Sequence, residues 1–194
     1  MKKLLGILTG HVEPTPSQER GIFAAAQAAI SLEAQAGYRF SGTAALVFRS
    51  REQGSFRRTE QEMSEILQAL AESEGSRFSL REDRYHYAWL VVQDPEIEDA
   101  LTLIHAAADT IQEAGFGFLL MCAVLVFQGE QNLYLIHNYK SGKFYPFVPT
   151  DPQGRPGTRN NAEELRLAAL LKGELPWEDD LTNWYALWDP PLWN

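Results

Sequence analysis

The stretch Phe118-Leu-Leu-Met-Cys-Ala-Val-Leu-Val-Phe127, followed by Gln128-Gly-Glu130, Leu133-Tyr-Leu-Ile-His-Asn-Tyr-Lys140, Ser141-Gly142 and Phe144-Tyr-Pro-Phe-Val-Pro-Thr150, decides the fold. Its first run is apolar almost throughout, the pattern of a central strand covered on both sides. Short glycine-bearing turns separate it from two further runs, which is how hairpins read. An antiparallel meander of three strands follows. Upstream, residues 84–93 read as another strand, with Tyr85, Tyr87, Trp89 and Val91 on one face and Leu90 and Val92 on the other. Asp94-Pro95-Glu96 joins a cap residue, a proline suited to the first helical position and an acid at the positive helix end. The helix so opened carries Ile97, Leu101, Ile104, Ala108 and Ile111 on one stripe and stops at Gly115.

Residues 17–36 read as a helix capped by Ser17 and ended by Gly37, with Ile22, Phe23 and Ile30 in an alanine-rich middle that permits close packing. Residues 38–49 read as a strand with Phe40, Leu46 and Phe48 on one face. Thr59-Glu-Gln-Glu62 has the form of a capping box. Behind it Met63, Ile66, Leu67 and Leu70 make one helical stripe, ended by Gly75. A short strand is expected over 77–80. A last helix is expected from Asn161, capped through Glu164 and carrying Leu165, Leu167, Leu170 and Leu171. Helices between runs of antiparallel strands predict an α+β domain over residues 17–194, with an antiparallel sheet of about five strands flanked by helices. Residues 1–16 stand apart as an apolar segment and a proline linker, and 151–158 reads as a disordered loop.

The chain has 194 residues, 45% of them hydrophobic, enough to bury a core in one domain. A net charge of −9 argues against nucleic acid, which needs clustered Lys and Arg, and against electrostatic docking to an anionic bilayer. A partner with a basic stripe or groove suits it. The single cysteine, Cys122, excludes an internal disulfide and a cysteine zinc site and fits a reducing cytoplasm. The opening Met1-Lys-Lys-Leu-Leu-Gly-Ile-Leu-Thr-Gly10 has too short an apolar core for a signal peptide. No segment reaches the roughly 20 apolar residues of a membrane span. The reading is a soluble cytoplasmic protein, membrane-associated at most peripherally or through a partner.

The four histidines, His11, His86, His105 and His137, show no ligand spacing and no acidic cluster completes one, so neither metal nor cofactor is expected. His105 lies beside an apolar helical stripe and reads as a packing residue. His86 and His137 fall on strands expected to be neighbours, and with Tyr139 they are candidate polar groups for a ligand pocket or small active site at the sheet end. Cys122 sits in an apolar strand, where burial raises a thiol pKa. Gly115-Phe-Gly117 ends a helix rather than starting one, so it is a C-cap and not a phosphate loop. Glu163-Glu164 is explained by helix capping and Glu178-Asp179-Asp180 by a solvated turn, with no opposing cation legible. Without a nucleophile or phosphate motif, a non-enzymatic role is the expectation.

Two features exceed the ordinary. In Phe144-Tyr-Pro-Phe-Val-Pro149 two prolines stop strand pairing, so the aromatics either pack inward or bind something. Four of the five tryptophans fall in the last eighteen residues. Large aromatics mostly serve packing, and a tail folded over the sheet outweighs a partner site on that ground, yet Trp and Tyr are also favoured interface anchors. The candidate partner-binding residues are therefore Phe144, Tyr145, Phe147, Trp177, Trp184, Tyr185 and Trp188. Leu4, Leu5 and Leu8, ahead of a proline linker, are candidates for contact with the chain's own domain, a partner or a bilayer surface. An exposed sheet edge is compatible with a homodimer.

Several blocks together resemble a known family: Ile30-Ser-Leu-Glu-Ala-Gln-Ala-Gly-Tyr-Arg-Phe-Ser-Gly-Thr43, Tyr87-Ala-Trp-Leu-Val-Val92, Glu113-Ala-Gly-Phe-Gly117, the segment from Tyr139 to Thr150, Arg159-Asn-Asn-Ala-Glu-Glu-Leu165 and the tail from Leu175 to Trp188. In order and spacing they resemble the PspA-associated PspAB family, companions of the phage-shock-protein A group of bacterial membrane-stress proteins. The opening segment is longer than that family's. The resemblance implies an accessory or adaptor role in envelope stress, with a PspA-like coiled-coil protein or an associated factor as partner. It brings no catalytic motif. The element order also resembles the type III secretion chaperone-like fold, whose acidic domains bind protein segments.

Overall fold

The computed structural model describes residues 21–50, 54–151 and 155–192. The expectations for residues 1–16, the Ser17 cap, the tip of the 151–158 loop and Trp193 lie outside the described residues. Six antiparallel strands form one sheet in the order β2-β3-β1-β4-β5-β6, one more strand than expected. They are β1 Arg39–Arg49, β2 Arg77–Glu82, β3 Tyr87–Gln93, β4 Leu120–Gln128, β5 Asn132–Asn138 and β6 Lys143–Phe147. The helices among the described residues are α1 Ala24–Ser31, α2 Gly54–Glu74, α3 Ile97–Ile111 and α4 Asn161–Leu171, with α1 running on as a wider turn through Leu32–Ala36.

Most element boundaries follow from glycine. Gly37, Gly75 and Gly115 all take positive φ where a helix stops. Starts are less legible. α2 is already helical at Gly54, so Thr59 is an interior, buried residue rather than a cap. What anchors the extra turn is Phe56, fully buried and edge-on to Phe48 and Phe116. Asp94 does not cap α3 either. Its carboxylate accepts from Glu96 N at 2.8 Å and from the Ser76 hydroxyl, and the helix begins at Ile97. In α4 the cap is Asn160, whose side chain accepts from Glu163 N at 3.1 Å. β3 starts only at Tyr87, because the Asp83 carboxylate accepts from Tyr85 N and Tyr87 N and closes a tight turn that takes Tyr85 off the sheet.

β6 keeps its pairing through Pro146, which lies opposite Leu135. Phe144 sends its N–H to Pro176 O at 2.7 Å and takes Glu178 N at 2.9 Å on the side away from β5. Residue 146 faces the same way, so the N–H that proline lacks was never owed to β5.

Cross-strand partners share a face, so Leu90, Leu46, Ala123, His137 and Phe144 form one row. Helices cover that face: Phe48 meets Phe56 of α2, and Gly21, leading into α1, lies over His137. The opposite face carries Trp89, Val47, Cys122, Tyr145 and Phe147, and the C-terminal tail crosses it. Trp184 stacks on Tyr145, Trp188 meets Phe147 edge-on, and Arg81 of β2 donates to Pro191 O at 2.9 Å. Both faces of the central strands are thus largely covered, which is why β1, β3, β4 and β5 read as apolar runs rather than alternating ones.

Gly129 in the β4–β5 turn has no room for a side chain, since a Cβ there would lie 2.8 Å from the buried Tyr38 ring. Gly129→Ala is expected to cost about 1–3 kcal/mol, as overpacking does, read as a lower urea midpoint with unchanged slope.

Candidate functional site

The sequence candidates fall mostly inside the fold. Phe144 and Phe147 are fully buried, Tyr145, Trp177 and Trp184 nearly so, and Trp188 partly. Tyr185 alone of the seven presents most of its surface outward, at 60%. Phe144 packs on the helix-covered face beside His137, and Tyr145, Phe147, Trp184 and Trp188 fill the face the tail crosses, so their bulk serves packing first.

What they shape is a shallow groove between α4 and the tail. Ala168 and Ala169 are small enough to leave space against Trp177 and Trp184, and Leu165 and Leu181 form its lips. Those two leucines are 53% and 55% exposed. Glu178 and Asp179 line the acidic side, each with a lysine in reach: Lys143 lies 3.7 Å from Glu178, and Lys172 pairs with Asp179. The hydrogen bond from Lys172 holds the Asp179 carboxyl below its ordinary pKa, and bonds from Thr182 do the same for Asp180. The acidic turn therefore has cations beside it that the sequence did not reveal.

Arg159 fixes the groove's wall. Its Nε donates to both Glu164 oxygens at 3.0 and 2.9 Å, one Nη donates to Trp184 O at 2.9 Å, and the guanidinium sits 5.1 Å over the Phe147 ring. Glu164, 2% exposed, also accepts from Val148 N at 2.8 Å. Burial raises its pKa, and the bonds from Arg159 and Val148 oppose that rise. Glu164 is thus a buried ion-pair partner rather than a cap. Trp184 Nε1 donates to Glu178 O at 2.9 Å, which sets the second wall.

The histidine reading fails in part. His86 has a positive φ in the β2–β3 turn and pairs with Glu82, while His137 is on β5, with β1 and β4 between their strands. His137 and Tyr139 do meet, ring centroids 5.0 Å apart, beside Phe144 at 4.7 Å. His137 is 1% exposed, and burial lowers its pKa to about 4, with the Gly142 backbone offsetting part of the shift. Neither ring nitrogen, nor the Tyr139 hydroxyl, has a partner of good hydrogen-bond geometry among the described residues. His105 packs edge-on against Phe23 and reaches Asp109, as a packing residue should. Burial pushes the Cys122 thiol up to about 12, too high for a ready thiolate. No three His, Cys, Asp or Glu side chains among the described residues gather as a metal set.

The family model for PspA associated protein B matches residues 2–192. The chain belongs to that family. The match takes in the opening segment as well as the domain, so the PspA associated protein B pattern includes the leucine-rich start. No curated protein and no solved structure matches the chain. The likeness to chaperone-like folds accordingly has no solved counterpart here. No helix among the described residues is long and apolar enough to cross a membrane.

The groove's lips escaped the sequence reading, although a signal was present. Leu165, Ala168, Ala169 and Lys172 recur at i, i+3, i+4 and i+7, while Glu164, Leu167 and Leu171 make the buried stripe. Two small-residue or apolar stripes on one short helix mean that one faces outward.

Proposed function

We propose that the chain is a non-catalytic adaptor of a PspA-type membrane-stress response, and that the groove between α4 and the tail takes an amphipathic helical segment of a PspA-like coiled-coil protein or an associated factor. The observation that carries this is the pairing of two exposed leucines with Trp184, which Arg159 and Glu178 hold at its backbone and its indole. A groove of that kind accepts apolar anchors spaced along a helix, and rigid walls lower the ordering cost of binding. Carboxylates at the rim favour a partner with basic residues beside its apolar stripe, which speeds encounter and selects register. Membership of the PspA associated protein B family supports the choice of partner.

Calorimetry against the PspA-like protein of the same organism tests it at two salt concentrations. Binding weakened by salt is expected. Leu165→Glu and Leu181→Glu should each weaken it about tenfold or more, roughly 1.4 kcal/mol, without lowering Tm, because both side chains are exposed. Tyr85→Ala, in the β2–β3 turn at the far edge of the sheet, should leave affinity unchanged. No binding at either salt would remove the reading.

One observation favours a second reading, a small-molecule-binding protein or small enzyme at the sheet end: the unpartnered polar atoms of His137 and Tyr139. A ligand there would raise Tm in the wild type and not in His137→Leu, and a compound that raises both equally would count against it.

A further inference from the structure

We infer that β2 is a dimerisation edge, at which two copies of the chain join antiparallel about a two-fold axis through Leu80 and continue the sheet from one copy into the other.

The two edges of the sheet differ. The tail closes the β6 edge, where Phe144 bonds to Pro176 and Glu178. Among the described residues no strand lies outside β2, and no backbone hydrogen bond from another segment reaches it. Which of its backbone groups stay open follows from its end. Asp83 N donates to Tyr87 O at 3.0 Å and continues the ladder in which Glu82 faces Ala88. Alternate residues of an antiparallel strand turn their backbone groups to opposite sides. Arg77, Ser79 and Arg81 therefore bond to β3, as Asp83 does, and Phe78, Leu80 and Glu82 present N–H and C=O outward. An edge of that kind is a template for a further strand.

Charge selects a second copy as that strand, and selects its register. Two copies bond only where outward residues face outward residues, so the axis falls on a residue rather than between two. On Ser79 it would set Arg77 against Arg81, and on Arg77, Arg81 or Glu82 it would set that residue against its own copy. Like charges directly opposite are destabilising. On Phe78 the axis would pair only residues 77–79 of the strand. On Leu80 it pairs all of β2: Leu80 faces its copy, Phe78 faces Glu82, Ser79 faces Arg81, and Arg77 faces Asp83 just past the strand's end.

Arg77 is exposed, and neither it nor Asp83 makes an ion pair among the described residues. The Asp83 carboxylate takes three N–H donors and no cation. A two-fold axis on Leu80 thus makes two Arg77–Asp83 pairs from charges that lack a counter-ion within one chain. Leu80, 48% exposed and opposite Leu90 on the helix-covered face, gains its copy as cover. Residues 77–84 hold Arg77, Arg81 and Arg84 against Glu82 and Asp83, so this edge is not acidic in a chain of net charge −9.

Edge pairing buries less area than a standard interface, so a dimer of about micromolar strength is expected. Sedimentation velocity of the full chain over rising micromolar concentration should show a monomer passing to a dimer, and a monomer throughout would overturn the proposal. Arg77→Glu sets an acid against Asp83 twice and should weaken the dimer about tenfold or more without lowering Tm. Leu80→Pro deletes an N–H owed to the second copy and not to β3, so it should abolish the dimer and keep the fold. Should it unfold the chain, Arg77→Glu still decides. A dimer that survives Arg77→Glu overturns the assignment to this edge. Register is read by cross-linking with glutathione disulfide, with the wild type and its Cys122 as the blank. Leu80→Cys, on the axis, should form a covalent dimer about tenfold or more faster than Glu82→Cys, whose copies lie roughly 13 Å apart along the strands. Equal rates overturn the proposal. Leu165→Glu, at the groove by the opposite edge, should leave the dimer unchanged, so loss of groove binding and loss of dimerisation are separate results.

Discussion

Arg159→Leu is expected to lower the stability of the fold by about 3–5 kcal/mol at neutral pH, the loss that follows when one partner of a buried ion pair is removed. Glu164, nearly inaccessible, would keep the Val148 N–H and lose both bonds from the guanidinium. The same change frees the Trp184 carbonyl and uncovers the Phe147 ring, so the loop before α4, the helix itself and the tail all loosen together. The pH dependence separates this from ordinary cavity loss. Burial already raises the Glu164 pKa, and removing Arg159 lets it rise further. The folded variant then holds a proton at Glu164 to higher pH than its unfolded chain does. Its deficit should be largest at neutral pH and shrink as pH falls toward the unfolded carboxylate range. Glu164→Gln in the Arg159→Leu background should recover much of the loss at pH 7. Urea unfolding at pH 7 and pH 5 reads both effects, and an equal deficit at the two pH values with no rescue would refute the assignment.

Where one local rule dominated, the fold was legible. The β4–β5–β6 meander was written in an apolar run and two glycine turns, and the α3 stripe of Ile97, Leu101, Ile104, Ala108 and Ile111 is buried as its period requires. Helix starts failed where two signals competed. Thr59-Glu-Gln-Glu62 satisfies the capping-box pattern, yet Phe56 upstream buries a whole ring, and that gain outweighs a cap worth about 1 kcal/mol. The place of β1 between β3 and β4 is not local at all. It depends on a register across residues far apart in sequence, and so His86 and His137 were set on neighbouring strands when they are not.

The candidate site was legible in composition and not in exposure. The weight of tryptophan in the tail marked the right region, and the alternative in which the tail packs over the sheet describes most of those rings. Sequence cannot say which atoms of a folded-back tail remain outside, since that depends on what the tail lies against. Leu181 and Tyr185 stay exposed while Trp184 between them is buried, because Arg159 and Glu178 hold the Trp184 backbone and indole at two points. Those two ties come from residues 25 and 6 positions away. The arginine that organises the groove had no motif to announce it.

Acid should unfold this protein earlier than its exposed carboxylates alone would require, and His137→Leu should remove most of that sensitivity. In the unfolded chain the imidazole takes up a proton near its ordinary pKa of 6.5, whereas in the folded chain it does so only near 4. Between those values the unfolded state holds more protons, so stability falls as pH drops from about 6.5 toward 4 and is fully present above that window. The size of the shift corresponds to about 3 kcal/mol lost across it. Geometry explains why the fold resists the charge. The ring lies between Phe144 and Tyr139, a Cβ on Gly21 would sit 3.9 Å from Nε2, and burial keeps Tyr139 neutral, so the Gly142 backbone offsets only part of the cost of an imidazolium. Urea titrations of wild type and His137→Leu at pH 7.5, 6, 5 and 4.5 make the comparison, with carboxylate contributions common to both chains. The stability of wild type minus that of His137→Leu should fall steadily on acidification, whatever its value at pH 7.5, because only the wild type carries the titrating ring. Parallel curves would mean that His137 finds a proton acceptor the described residues do not provide, and the packing account of this end of the sheet would then have to be redrawn around it.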